Sequence, residues 1–337
     1  MKAIGQHENG GPEVLQFVTI PKPVPRPRDI LVRVKAVSVN PVDAKVRRGM
    51  IPYAMSVANP PLILGWDAAG VVEELGDEAG RFKIGDEVCF AGVVNRPGSY
   101  AEFVAVDERI VGKKLKTLSF EEAAAIPLTA ITAWEAFIEN MNAPKEATDP
   151  QRTALIVGGA GGVGSIAIQI AKRVCSLYAV ATASRPASVE FCKKMGADAV
   201  IDHTKDLAIQ LKTLGLNGVD YVLNCAPLTN FPQLVPLLNP LGKICCILAG
   251  EPAKALDVSG LMLKRGMLSF EVMWCRPMLD VQPEKQGRLL DEVADLLDQK
   301  VLVSPMTTVM DWSEVQEAHR AIETGHTVGK IVLKVSS

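Results

Sequence analysis

No stretch of this 337-residue chain is apolar for long enough to cross a bilayer. Hydrophobic residues make up 48% of it, yet polar residues break every run well short of the roughly 18 that a span requires. The opening residues, "MKAIGQHENG", lack the apolar core of a secretory leader. A cytoplasmic protein with no membrane partner is the expectation. Charge of one sign is missing too: 36 basic against 38 acidic side chains leave a net charge of −2, so nothing attracts nucleic acid. The basic clusters Lys45/Arg47/Arg48 and Lys113/Lys114/Lys116 are short and carry no interleaved aromatics, and the second reads as solvated surface. The seven cysteines include no CxxC pair, which suits reduced thiols in a reducing compartment. His7, His203, His319 and His326 form no HxxxH, so local spacing offers no zinc site, although distant segments could still supply ligands. Internal repeats and low-complexity tracts are absent.

A chain of this length is expected to form two domains. Up to about residue 127, short β-rich runs such as "DILVRVKAVSV", "AAGVVEELG" and "GDEVCFAGV" alternate with Gly and Pro, the pattern of a barrel-like β domain. "TAITAWEAFIENM" then reads as a helix. From Thr153 the texture changes to alternating strand and helix: "TALIVGG", "GVGSIAIQIAKRV", "LYAVATAS", "SVEFCKKMG", "DAVIDH", "VDYVLNCA" and "GKICCILAG". Such alternation predicts a doubly wound parallel sheet with helices on both faces, an α/β class. Two more helices, "EKQGRLLDEVADLLDQK" and "SEVQEAHRAIETG", precede a closing strand, "GKIVLKV". The apolar "MLSFEVMW" is read as an edge strand suited to pairing two copies into a homodimer, or a homotetramer.

Gly159, Gly161 and Gly164 stand in G-x-G-x-x-G register after a strand and at the start of a helix, with Ala160, Gly162 and Val163 between them. The three glycines permit a tight turn, a close approach of backbone to pyrophosphate, and close packing of helix on strand. The helix N-terminus would add unpaired N–H groups and partial positive charge. A dinucleotide cofactor is therefore expected. An acid at the end of the next strand would hold a bare ribose, but that place reads "ATASRPAS". Ser184 and Arg185 offer a hydroxyl and a guanidinium that suit a 2′-phosphate, which favours NADPH over NADH.

The segments "VSVNPVDAKVRRG", "LGWDAAGVV", "GDEVCFAG", "AAAIPLTAITAWEA", "GGAGGVGSIAIQIAK", "GADAVIDH" and "GKIVLKV" together resemble the medium-chain dehydrogenase/reductase superfamily over essentially the whole chain. More narrowly the chain is similar to zeta-crystallin-like quinone oxidoreductases and the zinc-type alcohol-dehydrogenase-like group. The resemblance implies a GroES-like β-rich catalytic domain at 1–127 and 278–337, and a Rossmann nucleotide-binding domain at 128–277. It places the active site in the cleft between them. Zinc-dependent members carry Cys, His and Cys ligands in three of these segments, where this chain has Asn40, Trp66 and Leu128. Indole and alkyl groups cannot bind zinc, and an amide is a poor replacement for a thiolate. The four-cysteine structural-zinc loop is replaced by "FAGVVNRPGSYAEF". No metal is expected.

Without a Lewis acid, reducing a simple ketone loses several kcal/mol of charge stabilisation, so a conjugated acceptor is expected. The resemblance implies NADPH-dependent reduction of a quinone, or of the double bond in an activated alkenal or alkenone; a crystallin-like or RNA-binding role with little turnover is the reading from another class. Catalytic candidates by the same resemblance are Asn40, Lys45, Tyr53 and Thr132. Lys45 stands at the proton-relay histidine position, and Thr132 at the threonine that packs on the nicotinamide. Asp43 is read as structural, holding the loop that carries Lys45. His203, closing "AVIDH", joins Ser184 and Arg185 at the adenosine phosphate. Asn224, Cys225, Leu248 and Ala249 end strands from which family backbones reach the nicotinamide half. Arg276 and Lys330 are placed at cofactor phosphate or carboxamide.

Overall fold

The computed structural model describes residues 1–57, 61–114 and 116–336. It divides into two compact units, Met1–Ile131 with Trp274–Ser337, and Thr132–Met273.

The first unit begins with β1 (Lys2–Gln6), which pairs antiparallel with β2 (Gln16–Thr19) and with the short β4 (Leu62–Ile63). Its spine is β3 (Asp29–Val39), whose Ile30, Leu31, Val32, Val34, Ala36, Val37 and Val39 are all buried. A near-continuous β-branched run fits a strand covered on both faces. This strand pairs antiparallel with β5 (Ala68–Leu75) and β7 (Phe103–Asp107), and β6 (Glu87–Phe90) and β8 (Val111–Lys113) extend the sheet beyond β5. Pro41 stops the ladder, having no N–H to give, and its fixed φ starts α1 (Pro41–Arg47). Asn40 is the N-cap, and Asp43 at N3 closes a capping box with it. Ser119 and Glu122 do the same for α2 (Phe120–Ala124). Next, α3 (Pro127–Trp134) runs across the unit boundary between Ile131 and Thr132.

In the second unit six parallel strands lie in the order β11-β10-β9-β12-β13-β14: β9 (Thr153–Val157), β10 (Tyr178–Thr182), β11 (Ala199–Ile201), β12 (Val219–Asn224), β13 (Leu238–Cys246) and β14 (Met267–Phe270). This is the doubly wound arrangement, reversing its winding direction beside β9. The helices between are α4 (Gly162–Gln169), α5 (Pro186–Lys194), α6 (Leu207–Thr213), α7 (Phe231–Leu234) and α8 (Ser259–Lys264). Leu155, Val222 and Ile244 from adjacent strands pack with Leu211, Phe231 and Leu234 from the helices.

The chain then returns to the first unit through α9 (Cys275–Leu279), α10 (Glu284–Asp298), β15 (Met306–Asp311), α11 (Val315–Glu323) and β16 (Lys330–Lys334). In α10 the buried Leu289, Leu290, Val293, Ala294 and Leu297 form one helical face. Strand β15 runs parallel to β16, and β16 lies antiparallel to β3, with Leu333 opposite Val37.

The stretch carrying Lys45, expected as a loop, is the helix α1, and β15 has no counterpart in the sequence reading; two further elements differ in extent. "TAITAWEAFIENM" starts earlier, at Pro127, and winds as a π-helix over Glu135–Asn140. Of "MLSFEVMW", only Met267–Phe270 is strand.

Candidate active site and nucleotide loop

In the second unit, β9 runs into a turn at Gly158 that is tied to the end of β10: Gly158 N–H donates to Thr182 Oγ1 (3.0 Å) and Gly159 N–H to Thr182 O (3.1 Å). The motif glycines are required for different reasons. A Cβ on Gly164 would lie 2.2 Å from Gly158 O and 2.8 Å from Gly159 Cα, so α4 can sit this close to the turn only without one. A Cβ on Gly161 would meet nothing nearer than Gly158 O at 3.5 Å, which is ordinary contact. The protein's own packing therefore does not require glycine at 161, and its absence of a side chain leaves the backbone there open to close approach. The amides of Gly162, Val163 and Gly164 open α4 without intrahelical acceptors, so donors and helix dipole favour an anion at this loop. These features fit a dinucleotide pyrophosphate.

The other nucleotide candidates gather at the carboxyl edge of the same sheet. Ser184 and Arg185 follow β10 and His203 follows β11; all three are exposed, and Ser184 Oγ lies 3.4 Å from His203 Nε2. No carboxylate occupies 183–185. The nearby Asp202 carboxylate is turned toward Thr204, accepting from its N–H (2.9 Å) and Oγ1 (2.7 Å), and these bonds hold its pKa below the usual value. The Asn224 amide exchanges hydrogen bonds with Asn230 (2.9 and 3.0 Å) and accepts from Ala226 N–H (3.2 Å), its carbonyl accepts from Ile247 N–H (3.2 Å), and the residue is fully buried. Burial drives the Cys225 thiol far above its ordinary pKa, which makes it inert as a nucleophile. Leu248 and Ala249 follow β13 at this edge, half-buried and exposed respectively.

In the first unit the segments holding Asn40, Trp66 and Leu128 converge on one carboxylate. Asp67 Oδ2 accepts from Ser38 Oγ (2.6 Å) and Asn40 Nδ2 (3.3 Å), and Asp67 Oδ1 from Leu128 N–H (3.2 Å). The Lys330 ammonium completes the group, 3.2 Å from Asp67 Oδ2, donating to Asn40 Oδ1 at 2.5 Å and to Val39 O at 3.3 Å. All of these side chains are buried. Trp66 is fully buried beside them, and its Nε1 has no hydrogen-bond partner.

Two of the candidate residues are already engaged inside this unit. Lys330, expected at cofactor phosphate or carboxamide, meets three oxygens here with its three donors. The Asn40 amide, expected at the acceptor, is engaged at both ends, Oδ1 by Lys330 and Nδ2 by Asp67 and Ser38 O (3.4 Å). The donor set also does not fit a metal. The Asn40 oxygen is occupied by an ammonium, the indole N–H of Trp66 has no lone pair to offer, and Leu128 is aliphatic. Among the described residues no three His, Cys, Asp or Glu side chains are grouped as ligands.

Sequence reasoning missed a second buried line that anchors the far end of α1. Asp43 Oδ2 accepts from Asn40 N–H (2.8 Å) and Tyr100 OH (2.9 Å), Tyr100 OH lies 3.2 Å from His319 Nε2, and His319 Nδ1 lies 2.8 Å from Arg47 Nη1. Arg47, fully buried, also bonds Glu323 Oε1 (2.5 Å) and Gly10 O (3.1 Å). A guanidinium can only donate, so His319 Nδ1 is the bare nitrogen and Nε2–H donates to Tyr100, whose own proton goes to Asp43. Burial, then Arg47, lowers the His319 pKa to about 3; burial raises that of Asp43 to about 7. Both ends of this seven-residue helix are thus held by buried polar groups.

Lys45 sits on α1 between those anchors, half-buried, with a pKa lowered by desolvation and no ion pair or side-chain hydrogen bond among the described residues. Tyr53 is exposed, in the bends after α1. Thr132 is buried on α3, one turn beyond Leu128. Arg276 lies on α9, where its Nη1 donates to Val281 O (3.4 Å).

Residues 26–116 match the family model of the alcohol dehydrogenase GroES-like domain, and residues 195–333 that of zinc-binding dehydrogenase. A zinc-type alcohol dehydrogenase-like protein of Staphylococcus aureus is 38% identical over 322 residues, 93% of each chain. A solved structure from Rhizobium etli, described as a zinc-dependent alcohol dehydrogenase, is 41% identical with a TM-score of 0.92, covering 100% of this chain and 98% of that one. A quinone oxidoreductase from Coxiella burnetii is 29% identical with a TM-score of 0.83, covering 100% and 99%. A mycobacterial protein complexed with NADPH is 26% identical with a TM-score of 0.85, covering 99% and 100%.

Proposed function

The chain belongs to the medium-chain dehydrogenase/reductase superfamily, in its zinc-type alcohol-dehydrogenase-like group, and from that premise we propose that it is an NADPH-dependent, zinc-independent quinone oxidoreductase. Membership makes it an oxidoreductase using an NAD(P)-type cofactor. The observation that carries the narrower reading is the filling of the three ligand positions by an amide bonded to Lys330, an indole and an alkyl side chain. A protein without a Lewis acid needs an acceptor that tolerates incoming charge by itself. A quinone does so because reduction makes its ring aromatic.

The residues divide the work as follows. Gly161 and the opening amides of α4 would hold the pyrophosphate, while Ser184, Arg185 and His203 would face the 2′-phosphate that separates NADPH from NADH. When bound, NADPH supplies the hydride. Lys45, an unpaired and partly desolvated ammonium, stabilises the oxyanion that develops on the acceptor, where low polarity strengthens its field. The buried Thr132 fixes the face of the bound ring, and Tyr53 bounds the acceptor from the surface. Resemblance to a quinone oxidoreductase and to an NADPH complex supports this reading.

Turnover of 1,4-benzoquinone, 9,10-phenanthrenequinone and a 2-alkenal, each with NADPH, tests the proposal side by side. Quinones are expected to be reduced fastest, with no loss on chelation and no stoichiometric zinc by elemental analysis. Preferential reduction of the alkenal would make the protein an alkenal/alkenone double-bond reductase. One tightly held zinc per chain, or NADPH binding without turnover, would refute the proposal.

A further inference from the structure

A chain matched to a zinc-binding dehydrogenase model holds, between the segments that would bear ligands, a lysine. The Nζ of Lys330 meets three oxygens, Val39 O, Asn40 Oδ1 and Asp67 Oδ2, within 3.3 Å. An ammonium has three donors to match them, whereas a neutral amine would leave one oxygen unserved. Asp67 is the matching anion, since its two oxygens collect four donors, from Ser38, Asn40, Lys330 and Leu128. One ion pair therefore ties β16, the end of β3, the turn before β5 and the first turn of α3.

We infer that Lys330, with Asp67 as counter-ion, is the internal cation that positions the Asn40 N-cap of α1 and, through that helix, Lys45. The inference rests on the metal-free reading of the site. Lys330 grips the Asn40 side chain, and the Asn40 backbone N–H in turn donates to Asp43 in the capping box. At the other end of α1, Arg47 is held by His319 and Glu323. Among the described residues the Lys45 side chain has no hydrogen-bond or ion-pair partner, so its placement depends on these two anchors. A buried ion pair is weak evidence for stability because desolvation offsets its attraction; what it confers here is a fixed position.

The test compares Lys330→Met, Asp67→Asn and the double variant by thermal melting, amide hydrogen exchange of the 40–48 segment, NADPH affinity and steady-state kinetics. Each single variant leaves one buried group uncompensated and is expected to melt at lower temperature; the double variant, which removes both charges, recovers most of that loss. Exchange across α1 in the double variant is nevertheless expected to be at least tenfold faster than in the wild type. Turnover falls at least tenfold, with the Kd for NADPH unchanged within twofold. Recovery of α1 protection and turnover along with the melting temperature would overturn the inference, leaving the pair as replaceable packing. Unchanged α1 exchange with weakened NADPH binding would also overturn it, returning Lys330 to the cofactor. Because exchange is read without substrate, the inference stands or falls even if the wild-type protein fails to reduce quinones, which would refute only the proposed function.

Discussion

A single methyl group separates two kinds of glycine in the nucleotide loop. At Gly164 an added Cβ would sit 2.2 Å from Gly158 O and 2.8 Å from Gly159 Cα, and neither backbone atom can move without opening the β9–α4 junction. Gly164→Ala should therefore cost about 1–3 kcal/mol of stability, the usual range for overpacking, and lower the melting temperature of the cofactor-free protein. At Gly161 the nearest atom is Gly158 O at 3.5 Å, and the backbone, φ −77° and ψ 176°, is extended and open to any residue. Gly161→Ala should fold as well as the wild type, or gain up to about 1 kcal/mol from the stiffer unfolded chain. The same methyl group would occupy the approach of the pyrophosphate, so a loss of at least tenfold in affinity, roughly 1.4 kcal/mol, is expected. Thermal melting without cofactor and fluorescence titration with NADPH measure the two quantities separately. A Gly161→Ala protein that binds NADPH as tightly as the wild type would refute the assignment of this loop as the pyrophosphate cradle.

Four further outcomes are expected. Arg185→Ala should raise KM for NADPH far more than for NADH; equal effects on both would remove Arg185 from the phosphate site. Lys45→Ala should lower kcat with the chosen quinone at least tenfold, and unchanged kinetics would return Lys45 to the solvated surface. His319 stays neutral in the folded protein down to about pH 3. The unfolded chain takes up a proton below about pH 6.5. Stability contributed by the neutral ring is therefore full at neutral pH and is lost as pH falls, by up to about 1.4 kcal/mol per unit between those values. Urea unfolding at pH 7 and pH 4.5 should show a smaller difference in His319→Gln than in the wild type; an identical acid limb would contradict the buried-neutral assignment. Finally, β14 ends its sheet among the described residues, with Phe270 and the following Val272 exposed, and is expected to pair with a second copy, so light scattering should report a homodimer and a monomer would count against it.

How far the sequence reaches depends on how local each signal is. Strand β9 and the start of α4 are legible because an apolar run, a glycine turn and a helix onset follow one another along the chain. The amphipathic α10 and α11 are legible for the same reason. Strand β15 was not, because its residues are exposed or half-buried along its length and show no buried face. The π-helix over Glu135–Asn140 has no residue signature either. In the candidate site, Asp43 was read as structural, and its capping box bears that out, but the loop it was expected to hold is the helix α1. The engagement of Lys330 was not legible. Its partners Asn40 and Asp67 lie far away in the chain, and a lysine in a closing strand looks the same whether it faces solvent or a carboxylate. The pairing of Arg47 with His319 was invisible for the same reason.

The order of strands and helices, the glycine loop, the missing acid after β10 and the absence of thiolate or imidazole at the ligand positions were all set by the residues themselves. Each depends on the chemistry of one side chain or on periodicity within one element. Tertiary structure alone decided which buried charges meet: that Lys330 faces Asp67 and Asn40, that His319 is held neutral between Arg47 and Tyr100, and that Lys45 is left without a partner among the described residues. Those outcomes depend on long-range packing, where burial removes water and residues distant in the chain are brought together.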